Sequence, residues 1–177
     1  MKDIEIRTGG KNYELPRWKA KQIILDAASF LTKEGYYKDG FDYQKMLRSK
    51  GIVLKGYSSF APENLKELKE VSRSLWNEGL CLVFPDKESG KTCRMIVYND
   101  KKCATEIMQI IFHEFAHIKL KHTQQCPNGE AEAMLFSGVA TMLISMEQRF
   151  HIGRRIRLRN SARNFQHGIF NRREKIC

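Results

Sequence analysis

Apolar residues recur at helical spacing in five stretches of this chain and as short continuous runs in three others. The first helical stretch spans Pro16 to Leu31, with proline in its opening turn and Trp18, Ile23, Ile24, Ala27, Ala28 and Leu31 as its apolar positions. Phe41 to Ser49 reads as a short helix, and Pro62 to about Asn77 as an amphipathic one with Leu65, Leu68, Val71 and Leu75 on one face. Between them, Gly51 to Leu54 opens a β-like run that ends near Tyr57. Leu80 to Phe84 and Cys93 to Tyr98 are two further β-type runs, joined by a turn-rich segment, and a hairpin follows from them. A helix from about Thr105 to Lys121 is apolar around much of its circumference, so it must lie centrally. After Pro127 and Gly129, another apolar helix is expected from about Glu130 to Met146. The sum is an α+β domain, mainly helical, with a small antiparallel sheet packed on the central helix.

Composition narrows the class. The chain has 177 residues, enough for one domain with a real core, and no stretch approaches the roughly 18 uninterrupted apolar residues that a membrane span needs. Residues 1 to 7 alternate charged and aliphatic side chains and lack the apolar run of a secretory signal, so the expected location is the cytoplasm. The five cysteines, Cys81, Cys93, Cys103, Cys126 and Cys177, contain no C-x-x-C pair and read as reduced packing residues; only Cys126, shortly after the central helix, is a candidate for metal binding. The net charge of +11 is uneven. From Arg149 to Cys177 there are nine Lys or Arg and one acid, which leaves +3 on the first 148 residues. One domain over residues 1–148 with a basic extension over 149–177 is the expected organisation. The extension, Arg149 to Lys175, suits either contact with a polyanion such as nucleic acid or simple solvation.

The central helix carries His113-Glu114-Phe115-Ala116-His117, an H-E-x-x-H pattern. Histidines four apart differ by about 40° around a helix and about 6 Å along it, so both imidazoles reach one ion. Glu114 stands beside that face, where its carboxylate can take a proton from a water activated at the ion. Polar groups interrupting so apolar a helix cost several kcal/mol if they have no partner, which favours a metal site over coincidence.

Zinc chemistry of this kind takes three protein ligands and leaves a fourth position open. His122 follows His117 by five residues, about 140° away if the helix continues, and is expected to point elsewhere, into solvent. Glu130 and Glu132 face about 200° apart on the next helix, so one helix cannot aim both at one ion. Stepping from Glu132 reaches Phe136, Val139, Ala140 and Leu143, the heavy apolar face. Stepping from Glu130 reaches Met134, Ser137, Gly138 and Thr141, a smaller and more polar face. The heavier face is expected to turn inward, which favours Glu132 as third ligand, with Glu130 the alternative as an exposed first-turn carboxylate. Tyr98 is a candidate to stabilise an oxyanion. If the strand over Cys93 to Tyr98 lies at a sheet edge, an extended substrate could pair with it.

These residues resemble the ImmA/IrrE family of metallopeptidases, gluzincin-like enzymes in which an HExxH helix entered from a short sheet is followed by a helix bearing an E-A-N-x-F-A-like motif. The local match is Glu132-Ala133-Met134-Leu135-Phe136-Ser137, and the likeness covers roughly Leu80 to Met146. The family often has glycine where Ala116 stands and asparagine or aspartate where Met134 stands; neither difference removes a ligand or the base. The resemblance implies a zincin-like fold, a Zn2+ cofactor, and a cytoplasmic endopeptidase of a bacterium, phage or mobile element that cleaves a DNA-binding repressor and so regulates transcription. It also supports Glu132. The expectation for this chain is therefore a zinc peptidase with His113, His117 and Glu132 on the metal and Glu114 as base. The competing expectation is a non-catalytic protein- or nucleic-acid-binding module on the same scaffold.

Overall fold

The structure is a computed structural model that describes residues 4–8, 11–72, 78–85, 92–122 and 127–151. Among the described residues, five helices and five strands follow in the order β1 (Ile4–Thr8), β2 (Lys11–Leu15), α1 (Arg17–Glu34), α2 (Tyr43–Ser49), β3 (Ile52–Gly56), α3 (Pro62–Ser72), β4 (Gly79–Pro85), β5 (Thr92–Tyr98), α4 (Ala104–Lys119) and α5 (Pro127–Phe150), with a 3-10 turn at Tyr57–Ser59 after β3. The architecture is α+β and mainly helical, as the periodicity implies. Among the described residues, no helix is long and apolar enough to cross a membrane. Cys126, residues 73–77 of the third expected helix, and all of the basic extension beyond His151 lie outside the described residues.

The sheet is mixed rather than antiparallel. β5 is central, pairing antiparallel with β4, so that Cys81 faces Ile96, and parallel with β3, so that Leu54 also faces Ile96. The run ending near Tyr57 joins the hairpin because α3 carries the chain across before β4 begins. This corrects the idea of residues 93–98 as an edge: the outer strands are β3 and β4. A second, two-stranded sheet, β1 with β2, was not anticipated from the sequence; Ile4–Thr8 is a strand, and Lys11 to Leu15 returns along it with Ile4 opposite Leu15.

α1 ends at Gly35, whose φ of +75° is a left-handed conformation open to glycine at little cost, and whose N–H closes the helix onto Leu31 and Thr32 carbonyls. Its buried face is Ala20, Ile23, Ala27, Phe30 and Leu31. Trp18, expected on that face, is instead 68% exposed, and Ile24 is exposed too. Trp18 precedes Ala20 by two residues, about 200° around the helix, which puts it on the side opposite the buried face.

α4 is the middle of the molecule. Met108, Ile110, Ile111, Phe112, Phe115 and Ala116 are all buried, and the rings of Phe30, Phe115 and Phe136 meet where α1, α4 and α5 converge, with centroids 5.0 to 6.3 Å apart. Fully burying one such side chain is worth roughly 1.5–3 kcal/mol, so this junction fixes the mutual position of the three helices. α5 therefore has two buried sides, one toward α4 and one toward α1.

Candidate metal centre

His113 and His117 occupy successive turns of α4, and their Nε2 atoms lie 3.2 Å apart. The carboxylate brought to them is that of Glu130: Oε2 is 3.2 Å from His113 Nε2, and Oε1 is 3.5 Å from His117 Nε2. These three residues form a group in which one ligand atom from each lies within 4.8 Å of the others, and such a buried His-His-Glu group could hold a metal ion. A tetrahedral ion with bonds of about 2.0–2.1 Å spaces its ligand atoms about 3.3–3.4 Å apart. The observed separations match that edge length, and two imidazoles with one carboxylate are a donor set that suits zinc. Cys126, the other metal candidate, lies outside the described residues.

The expected ligand Glu132 is not at this position. Its Oε2 lies 3.3 Å from His122 Nε2 and its Oε1 3.4 Å from Lys19 Nζ of α1. The physical reason is the two-sided burial of α5. The small face that carries Glu130 turns to α4, where Gln109 Nε2 meets Met134 Sδ at 3.6 Å, and Ser137 on it is completely buried. The face that begins at Glu132 turns toward α1, where Phe136 meets Phe30. Bulk decided neither. Small side chains allow α5 to come near enough to α4 for the Glu130 carboxylate to reach the histidines, and Glu130 itself is only 6% exposed.

His122 also departs from the straight-helix expectation. α4 stops at Lys119, Lys121 takes a left-handed φ of +59°, and the His122 N–H closes back onto the His117 carbonyl at 3.0 Å. That reversal carries the His122 ring over His117, where the two Nδ1 atoms are 2.9 Å apart.

Glu114 is 3% exposed and lies beneath β4. A Cβ placed on Gly79 would come within 3.0 Å of the Glu114 side chain, so glycine at that point of the strand is what admits the carboxylate. Burial, with the negative charge of Glu130 adding, pushes the Glu114 carboxyl up to about 8, although the thiol and backbone N–H of Cys81 donate to it and oppose the rise. Burial likewise raises the Cys81 thiol, reinforced by Glu114. His117 is held down to about 4 by burial and by its neighbour His113, with Glu130 opposing the shift. For Glu130, burial alone would raise the carboxyl, but the hydrogen bond with His113 and the fields of His117, His113 and His122 outweigh it and hold the group below the ordinary carboxylate range. A neutral His117 imidazole thus faces an ionised Glu130 carboxylate, the protonation states a metal requires of such ligands.

Tyr98 is half-buried against the core, and its electrostatic influence falls on Tyr43. The charge of Glu114 is felt by Tyr57, in the turn after β3, where burial and then the charges of Glu114 and Glu78 raise the phenol. Nothing in the periodicity around Tyr57, Gly79 or Cys81 marks them, since each acts through a strand pairing that only the fold creates.

Comparison with protein-family models, with curated proteins and with solved structures returns no match for this chain.

Proposed function

We propose that this protein is a zinc-dependent endopeptidase in which His113, His117 and Glu130 hold the metal and Glu114 is the general base. The observation that carries this reading is the buried group of three donors at tetrahedral spacing, with a carboxyl of raised proton affinity on the residue between the two histidines in sequence. Zinc, when bound, supplies Lewis acidity, which polarises a carbonyl and acidifies water. The chain supplies the proton transfers. Glu114, buried and hydrogen-bonded to Cys81, is held in one orientation; its carboxylate accepts a proton as water attacks and delivers it to the leaving amine nitrogen. β4 is an outer strand, and its Cys81 touches Glu114, so an extended peptide added along β4 would pass the base. The ImmA/IrrE resemblance supports a protein substrate of the DNA-binding repressor class, acting in the cytoplasm, with the basic extension from Arg149 to Lys175 as the segment that meets nucleic acid.

Elemental analysis of protein purified without added metal tests the site. About one zinc per wild-type chain, lost in His117→Ala and in Glu130→Gln, is the expected result, together with cleavage of a peptide library that Glu114→Gln abolishes while retaining zinc. A wild-type chain that takes up no zinc when supplied with it would overturn the assignment. A Glu114→Gln variant that keeps zinc and all activity would favour a binding module on the same scaffold.

A further inference from the structure

The metal reading accounts for His113, His117, Glu114 and Glu130, but a second polar cluster lies directly behind His117 and is left without a role. His117 presents Nε2 to His113 and Glu130, and its other nitrogen, Nδ1, to His122 Nδ1 at 2.9 Å. The far nitrogen of His122, Nε2, meets Glu132 Oε2 at 3.3 Å, and the second oxygen of Glu132 meets Lys19 Nζ at 3.4 Å. Both His122 and Glu132 are largely buried, with side chains 13% and 14% exposed. Three elements build this line: the reversal at Lys121, the second turn of α5 and the first turn of α1.

One arrangement of protons satisfies every contact in it. A His117 that lends its Nε2 lone pair to an ion carries its proton on Nδ1 and donates it to His122 Nδ1. His122 then accepts at Nδ1, carries its own proton on Nε2 and donates that to Glu132. Lys19 balances the carboxylate charge on the other side. Each imidazole then has one donor and one acceptor nitrogen, and no donor faces a donor.

We propose that His122 and Glu132 are positioning residues for the metal centre: a chain from Lys19 through Glu132 and His122 to His117 that fixes the tautomer and ring orientation of His117 and strengthens its Nε2 as a ligand. This rests on the zinc reading above. It also explains why α5 carries two buried carboxylates two residues apart: Glu130 addresses the histidines of α4, and Glu132 addresses the returning chain just past the end of α4. Outer partners of metal-binding histidines carry roughly 10–100-fold in metal affinity.

The test is the zinc dissociation constant, measured by competition with a chromophoric chelator, for wild type, His122→Ala, Glu132→Gln, the double variant and Glu130→Gln. Expected is a roughly 10–100-fold weakening in each of the two single variants, with the double variant no weaker than His122→Ala, because both act through one chain. Glu132→Gln, equal in size to the native side chain, keeps the test open should His122→Ala fold poorly. Single variants that bind within twofold of wild type, or a double variant in which the two losses add in full, would overturn the chain while leaving the zinc site standing. A wild type that binds no zinc and is matched by Glu130→Gln would instead remove the metal reading, and the chain with it.

Discussion

Replacing Glu114 by Gln removes a buried carboxyl at constant volume, and the structure sets the size and sign of the resulting stability change in the metal-free protein. The group is pushed up to about 8 from an ordinary 4.5, chiefly by burial. Between those two values the native chain holds a proton that the unfolded chain has released, so wild-type stability falls as pH rises through that window. At 1.36 kcal/mol per unit, the wild type should lose about 3–4 kcal/mol relative to Glu114→Gln between pH 5 and pH 8. For a chain of this length that is roughly 10 °C in melting temperature. His117 works in the opposite direction. Held down to about 4, it makes the native state resist protonation, so stability falls as pH drops below about 6.5 in both proteins, and the difference between them cancels it. The assay is thermal unfolding of both proteins in excess EDTA at closely spaced pH values. The gap should widen steadily toward pH 8 in favour of the variant. A gap that stays constant within about 1 kcal/mol would show that Glu114 is ionised in the folded chain throughout, and would refute its assignment as a buried carboxyl of raised proton affinity.

Three further outcomes are expected from the geometry. In Gly79→Ala the new methyl would lie 2.7 Å from Ile110 Cγ2 and 3.0 Å from Glu114, so either β4 or α4 must move; a loss of about 1–3 kcal/mol in urea unfolding is expected, and an unchanged midpoint would contradict the close approach. Lys121→Gly relieves a side chain held at φ +59° and should hold or raise stability by up to about 1 kcal/mol, whereas a marked loss by the same measurement would mean the reversal after α4 is not left-handed. Zinc at about 100 times its wild-type dissociation constant should stabilise the wild type by about 2.7 kcal/mol against unfolding; at that same concentration Glu130→Gln should show little of that gain, and Glu132→Gln, binding roughly 10–100-fold more weakly, should keep about 0.4–1.4 kcal/mol of it.

The sequence by itself determined the five helices, the three strands of the larger sheet and the placing of His113 and His117 on one helix. The periodicity over residues 105 to 121 required a central helix, and four-residue spacing put His113 and His117 on one side of it, because a helix fixes such relations locally. Gly35 and Pro62 stand at helix ends for reasons equally local. Relations between elements are a different matter. Whether Glu130 or Glu132 met the histidines depended on α5 lying between two helices, so that Glu130, Ser137 and Thr141 of its small polar face were buried as were Phe136 and Ala140 of its heavy apolar one, and no face of α5 alone carries that information. His122 came back over His117 because one non-glycine residue adopted a left-handed conformation, a choice made by what the reversal gains in hydrogen bonds and packing against α5. β5 became the central strand because β3 paired beside it from more than 35 residues away in sequence, and Trp18 was left outside because α1 turned the face of Ala20, Ile23, Ala27, Phe30 and Leu31 inward. Local spacing encodes which groups share a helix face; only packing decides which faces meet.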